Sequence, residues 1–506
     1  MYKTIRQITD MYKRKNNNIP PKTKTKLNYS LNDNLSYIQR RFDNTADLTI
    51  HKIALCGVDA GIISIDNMVN KELMTLSIIE PMINNFYNKT PEEILYEIKN
   101  KILYTDDISV IDTFEQLFIL VMSGFAVISV DGCNKMLAVG IQGFRTRGIS
   151  EPESDVVQRG SKEGFVESVR TNMTLIRRRM KTTDLKFEII NIGQLSSTEV
   201  CICYLNGTAS KEIISELKKR LNKIDLKTIL APGYIVPYIE DKSSPSFFST
   251  VGITERPDTV CGKITEGRIA VLIDGVPSAL IVPYLFAEYF QTIDDYTNRP
   301  YFSTFTRWLK YMAFFIAVLL PGVFVALGTF DPEIFPTLLL NKIASSISET
   351  PLSLMTETLI IQFVYEIMRE SGLRMPQPLG YAVSIVGGLV IGDTAINAGL
   401  IGAPTLMVVA VAVISSYVIP NLYAPVVILR LLFTLAGGIF GIWGVSLFLC
   451  LTMINLCSKT SFGIPYTSPL TPFGVNVFRD VFVRAGWKTL NKNTAKVQNM
   501  PGAEVE

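Results

Sequence analysis

Apolar and polar positions along this chain follow two different patterns. Up to about residue 300 the apolar runs are short. Leu48–Leu55, Gly61–Asp66, Phe125–Val130, Lys186–Ile192, Glu199–Leu205 and Ile269–Ile273 are rich in β-branched residues or alternate with period two, which predicts strands. Lys71–Asn84, Thr113–Met122, Phe165–Arg179 and Lys211–Lys223 space their apolar residues as helices do. Asp131-Gly132 and Asp274-Gly275 are turn signals, so Lys135–Gly143 and Ser278–Val282 complete two hairpins. The pattern predicts two α/β subdomains, 46–143 and 183–297, joined by a connector and helix over 144–182. No repeat between the two is visible in the sequence.

From Phe302 the apolar runs lengthen to membrane-spanning size. Candidate segments are 312–330, 353–369, 379–400, 402–419 and 431–457, so a helical transmembrane domain of four to five segments is expected over 298–475. A shorter run at 334–350 is expected to be interfacial. Trp308 and Tyr311 suit a membrane edge, and Arg299, Arg307 and Lys310 before the first span place the N-terminal half in the cytoplasm. Basic residues at both ends require an even number of crossings, which five segments do not give. One segment must therefore be re-entrant, broken or interfacial, and Gly392-Asp393 is the expected place. Over 353–369 the residues Thr358, Gln362, Glu366, Arg369 and Glu370 share one helix face, opposite Ile360, Phe363, Val364 and Ile367, while Glu357 lies off the polar face. Ser384, Gly388 and Gly392 recur every four residues as a seam for close helix packing, with Val383, Val386 and Val390 on the other side.

Composition supports this division. The 506 residues are 48% apolar and 19% charged, with a net charge of +3 and a mean hydropathy of +0.27. Residues 311–330 and 431–457 carry no charge at all. A wholly soluble enzyme and a fully embedded transporter are both excluded, and the near-neutral balance gives no case for nucleic-acid binding. Residues 1–45 read as a basic flexible arm, solvated or resting on anionic lipid, and 476–506 as a cytoplasmic tail. The arm lacks the apolar core of a secretory signal. The seven cysteines are scattered, which fits reduced thiols, with Cys201 and Cys203 as core thiols on one strand face. A single histidine, His51, argues against zinc. Arg177-Arg178-Arg179 reads as a solvated helix end rather than a nucleic-acid patch. No phosphate-binding loop, nucleophile elbow or zinc-protease motif is present, so neither an enzyme nor a cofactor is expected.

Three stretches carry a resemblance. They are Arg147–Glu167 with Asn172 and Leu175–Arg179, then Glu255–Arg268 running on to Asp274–Pro277, and last Arg369–Pro376 with Ser384–Gly388 and Ser461–Tyr466. Together they resemble the A-subunit family of bacterial spore germinant receptors (GerA type) or its close spore-membrane paralogue, over roughly residues 45–475. The resemblance implies a three-part receptor in the inner spore membrane. Its partners would be a transporter-like B subunit, to which nutrient binding is attributed, and a lipoprotein C subunit. The A subunit would form a homo-oligomeric ring passing cations when nutrient binds. Under that reading Val383, Val386 and Val390 line an apolar constriction, and Thr358, Gln362 and Glu366 a polar vestibule. Packing of the valines against lipid or core, and pairing of Glu366 with Arg369 or Arg374, are the plainer alternatives. Arg147, Glu151, Arg159 and Glu163 are candidates for ion pairs between subdomains or protomers, or for an exposed connector. Arg256, Asp258 and Arg268 precede a hairpin near the membrane and are candidates for transmitting motion, or for a structural turn. The competing functions are a non-conducting scaffold that docks the partner subunits, and a substrate carrier.

Overall fold

The computed structural model describes residues 25–43, 45–55, 58–84, 90–102, 107–143, 152, 155–241, 246–375, 392–472, 480–490 and 496–504. The first unit begins with helix α1 (Leu31–Phe42), capped by Ser30, whose side chain accepts from the Asp33 N–H. Leu31, Leu35, Ile38 and Phe42 form the buried stripe of α1, so the described end of the expected flexible arm is an ordered part of the first core. A basic and polar context had hidden that stripe. Strands β1 (Leu48–Leu55), β2 (Val58–Ile65), β3 (Ile108–Ile111), β4 (Phe125–Val130) and β5 (Met136–Gly140) pair antiparallel in the order β1-β2-β4-β5-β3.

The second unit repeats this plan. Helix α2 (Val169–Arg179) precedes β6 (Leu185–Ile192), β7 (Thr198–Leu205), β8 (Gly252–Thr254), β9 (Ile269–Ile273) and β10 (Ala279–Val282). Their order is β6-β7-β9-β10-β8, again antiparallel throughout. The α2–β6–β7 run mirrors α1–β1–β2. Helix α3 (Pro257–Thr265) lies between β8 and β9, as Phe114–Val121 lies between β3 and β4. Each sheet is apolar on both faces and covered on both, giving two α/β/α units with the same topology. Asp47 and Arg177 fasten the units together. The Arg177 guanidinium is fully buried and donates to Asp47 Oδ2 at 2.8 Å and Oδ1 at 3.0 Å. Arg178 and Arg179 both pair with Glu163. The expected solvated helix end is therefore a buried junction, because a guanidinium is retained in an interior when a carboxylate meets it bidentately.

Beyond residue 300 polar and charged side chains join the apolar interior, and large apolar ones are exposed. Helices α4 (Pro300–Phe330), α5 (Thr337–Glu349), α6 (Leu354–Arg374), α7 (Gly392–Asn397), α8 (Ala403–Ser416) and α9 (Tyr423–Cys457) pack together. Their interior holds Arg307, Glu357, Thr358, Gln362, Thr405, Ser416, Arg430 and Thr434, while Phe363, Ile367, Met407, Ile414, Trp443 and Leu447 are exposed. Two helical stretches, Pro300–Phe330 and Pro420–Cys457, are long and apolar enough to cross a membrane.

The second of these is not straight. Gly441 has φ 61° and ψ −150°, a conformation open to glycine. The chain folds back there, and the Phe433 and Phe448 rings meet at 4.7 Å between centroids. The run 431–457, read from sequence as one segment, is thus two helical arms with the break at Gly441. Gly392-Asp393, where the break was expected, opens the short helix α7. Glycines also set the packing of α4 on α9. A Cβ on Gly322 would lie 2.6 Å from the Phe433 carbonyl oxygen, and one on Gly437 would lie 2.3 Å from that of Gly322.

After α9 the chain returns to the second unit. Strands β11 (Thr460–Ser461) and β12 (Ile464–Pro465) form a tight hairpin through Phe462 and Gly463, both at positive φ. Phe462, Ile464 and Val497 enter the core of the second unit, and Arg220 stacks on the Phe462 ring at 4.4 Å. The described parts of 476–506 are accordingly packed segments rather than a free tail.

Candidate functional site

Two clusters of buried charge stand out where the helices meet each other and where they meet the second unit. The first lies inside the helical region. Glu366 on α6 accepts from Arg430 Nη2 at 2.8 Å, from Arg369 Nε at 3.2 Å, and from the Tyr423 hydroxyl at 2.9 and 3.0 Å. Arg369 also sits over the Tyr423 ring at 4.1 Å. One turn earlier, Gln362 Nε2 donates to Thr434 Oγ1 at 3.1 Å, and Thr434 Oγ1 donates to the Arg430 carbonyl at 2.8 Å. Tyr365 and Tyr417 join hydroxyl to hydroxyl beside them. At the other end of α6, Glu357 accepts from the Gly402 N–H at the start of α8. A helix N-terminus suits a carboxylate, which is how α6 and α8 are held there.

Thr358, Gln362 and Glu366 of the expected polar face of α6 turn inward, whereas Glu370 at its end is exposed and pairs with Arg374. Thr358 and Gln362 are fully buried, and Glu366 is half-buried and paired. Glu357, placed off that face by the sequence, is buried too. Arg430 was read only as an interruption of an apolar run; its partner was missed because it lies on another helix. Gly392 abuts α8, where an added Cβ would meet Leu406 at 3.3 Å. Val383, Val386, Val390, Ser384 and Gly388 lie outside the described residues.

The second cluster sits at the foot of α4. Arg307 is fully buried and donates to Asp295 Oδ2 at 2.8 Å and Asp480 Oδ1 at 2.9 Å. Lys310 reaches Asp295 Oδ1 at 3.1 Å, and the Tyr296 hydroxyl donates to Asp480 Oδ2 at 2.8 Å. The Arg484 backbone N–H donates to Thr304 Oγ1 at 3.1 Å, and its guanidinium to the Tyr296 carbonyl at 3.3 Å. Two neighbouring segments, 291–297 and 300–311, are tied to a third far along the chain, 480–487. Arg307 enters the sequence analysis only as a basic flank; Asp480 gives no signal there because pairing across 173 residues leaves no local pattern.

The other candidates belong to the second unit. Arg256 is buried, pairs with Asp258 at 2.6 Å, and donates to the Ser161 carbonyl at 2.6 Å, so it pins the connector. Asn172 clamps the same connector through Val166, donating at 2.6 Å and accepting at 2.9 Å. The Arg159 side chain is exposed, and its backbone N–H donates to Asp294 at 3.2 Å. Arg268 meets Glu288 at 3.0 Å through Nε, and Lys263 meets the other oxygen at 2.7 Å. Burial pushes the Glu288 carboxyl up, but Arg268 and Lys263 outweigh it and hold the group below its usual range. Arg256, Asp258, Arg268 and Glu163 thus bind elements within this one unit and its connector, while the buried ion pair between the units is Asp47–Arg177, with the more exposed pairs Arg41–Asp184 and Arg170–Asp66 beside it. Arg147 and Glu151 lie outside the described residues.

The chain is similar to known proteins over most of its length. The family model described as Bacillus/Clostridium GerA spore germination protein matches residues 36–496. Spore germination protein KA of Bacillus subtilis (strain 168) is 35% identical over 463 residues, covering 90% of this chain and 85% of that protein. The membrane protein YfkQ of the same organism, itself uncharacterized, is 35% identical over 470 residues, covering 92% and 90%. Spore germination protein GerLA of Bacillus cereus is 30% identical over 445 residues, covering 87% and 89%. The crystal structure of the N-terminal domain of the A subunit of the Bacillus megaterium spore germinant receptor GerK3 is 31% identical, spanning 52% of this chain and 99% of that one with a TM-score of 0.41. This chain belongs to the GerA family of Bacillus and Clostridium spore germination proteins.

Proposed function

We propose that this protein is the membrane subunit of a nutrient germinant receptor, and that it assembles with copies of itself into a nutrient-gated cation channel of the spore inner membrane. The observation that carries the reading is the burial pattern of residues 300–457: charged and hydroxyl side chains lie inside among apolar clusters, while large aromatic and aliphatic side chains are also exposed on the outside. Both ends of this region are fastened to the second α/β unit, α4 through Arg307 and the end of α9 through Lys459, which donates to the Phe248 carbonyl at 3.0 Å. In this reading the chain crosses the membrane an even number of times, with both α/β units in the cytoplasm. The α/β units assemble the ring. Val383, Val386 and Val390 form its apolar constriction, and Ser384, Gly388 and Gly392 pack the lining helices. The B and C subunits of the receptor are its partners.

One observation favours a second reading, a non-conducting scaffold. Thr358 and Glu366 are hydrogen-bonded within the chain, as is Gln362 through Nε2, although Gln362 Oε1 has no partner among the described residues. A vestibule lined by them therefore requires α6 to turn or part from α9. The mass of the full-length protein in mild detergent, corrected for bound detergent, tests the two. A single closed oligomer is expected. A monomer that persists when the B and C subunits are co-produced removes the homomeric pore and leaves the scaffold.

A further inference from the structure

We infer that the foot of α4 and the segment after Asp480 form an aromatic shelf that lies in the headgroup layer of the bilayer. The inference rests on the reading that α4 crosses a membrane. At about 1.5 Å per residue, the 31 residues of α4 are about 46 Å long. The hydrocarbon core is about 30 Å thick. Asp331 follows directly on Phe330, so the far end of α4 stops at the opposite surface and the excess length belongs to its first ten or so residues. Those residues therefore occupy the interfacial layer and what lies just beneath it.

Their two faces differ. Arg307 is buried against Asp295 and Asp480, and Lys310 is turned toward Asp295. On the other side Tyr301, Phe302, Phe305 and Trp308 are exposed. The returning chain widens this face. The Trp308 indole N–H donates to the Phe482 carbonyl at 3.0 Å, which brings the exposed Val483 close, and the exposed Trp487 follows in the same segment. Trp487 is held in place: the Arg484 guanidinium stacks on it at 5.0 Å and the Tyr296 ring lies 6.1 Å away. Amphipathic rings at this level favour the boundary between headgroups and acyl chains. A soluble surface has no reason to present five exposed rings and a valine together. The occupant is lipid, because the patch is continuous with the exposed apolar face of a span. Lys488 and Arg299 flank it and suit anionic headgroups. The segment around Trp487 is thus a membrane-surface element, linked through Asp480 to the charge knot that fastens α4 to the second unit.

The chain has three tryptophans, Trp308, Trp443 and Trp487, with exposures of 55%, 82% and 60%. This allows a direct measurement on the full-length protein. Single-tryptophan proteins are made by Trp→Phe at the other two sites and reconstituted without partner subunits into lipids brominated at different depths. Trp308 and Trp487 are expected to lose most emission with bromines nearest the headgroups and little with bromines at the bilayer centre. Trp443, on the far arm of α9, is the control for embedding itself. If Trp443 is quenched while Trp487 is not, the shelf is overturned and the membrane reading stands. If none is quenched, the membrane reading fails and the shelf with it. Arg484→Gln removes the support of Trp487, so its shallow quenching is expected to fall while that of Trp308 is kept. Equal quenching in that variant overturns the assignment of Trp487 to a built shelf.

Discussion

Arg430 is the one charged residue between Tyr423 and Cys457, and its guanidinium is fully buried. Nη2 meets Glu366, while Nε and Nη1 have no partner among the described residues. Glu366, by contrast, has three partners: Arg430, Arg369 and Tyr423. The two ends of this pair should therefore respond unequally to mutation. Glu366→Gln leaves a buried arginine without a counter-charge, a loss of about 3–5 kcal/mol by analogy with other broken buried pairs. Arg430→Met removes the charge that is costly to bury and leaves Glu366 with Arg369 and Tyr423. The expected outcome is a large fall in thermal unfolding temperature in detergent for Glu366→Gln and a clearly smaller one for Arg430→Met. The double variant Glu366→Gln with Arg430→Met should unfold above Glu366→Gln alone, which closes a double-mutant cycle with the two single variants. Equal losses for the two single variants would mean that packing rather than charge dominates the seam.

At the scale of elements, Gly441 decides how α9 folds. Any other residue meets a backbone conformation costing about 1–3 kcal/mol, and an added Cβ also lies 3.1 Å from the Phe330 ring. Gly441→Ala is expected to lower the unfolding temperature and to loosen the Phe433–Phe448 contact, readable as faster proteolysis between the two arms. Local signals such as β-branched runs, Asp-Gly turns and helical stripes were legible for β1, β2, β4–β7, β9 and β10. They were not legible for β3 and β8. Those strands have four and three residues, too few for an alternation to show, and tertiary pairing with β5 and β10 defines them. The same reason hid the duplication of the units, which is a property of strand order and not of residue identity. Gly441 was invisible among the other glycines of its run because an apolar composition does not report φ. The inward polar face of α6 was legible from spacing, but its partners were not, since hydrogen bonds between helices leave no periodicity in either one.

The whole molecule is organised around the second α/β unit, which holds the first unit through Arg177, the base of α4 through Asp295, and the end of α9 through the 460–465 hairpin. Contacts along the helices order them relative to it. Gly328 abuts Leu354 and Gly438 abuts Met355, so the start of α6 lies beside the far end of α4 and the far arm-tip of α9. Glu366 and Tyr423 then meet nearer the unit, while Gly402 returns to Glu357 at the far end. Phe330 lies against Gly441, and Lys459 is back on Phe248. Under the proposal that these helices cross a membrane, a chain that leaves one body and returns to it makes an even number of crossings. The break at Gly441, which turns one apparent span into two arms, bears on the parity conflict of the sequence under that proposal. Epitope tags at the two ends of the protein should therefore share one side. In sealed inverted vesicles, protease is expected to remove both together, and in vesicles of native orientation to spare both. Loss of one tag with retention of the other would require an odd count, and with it an attachment of the 460–465 hairpin different from the one that buries Phe462 and Ile464 in the second unit.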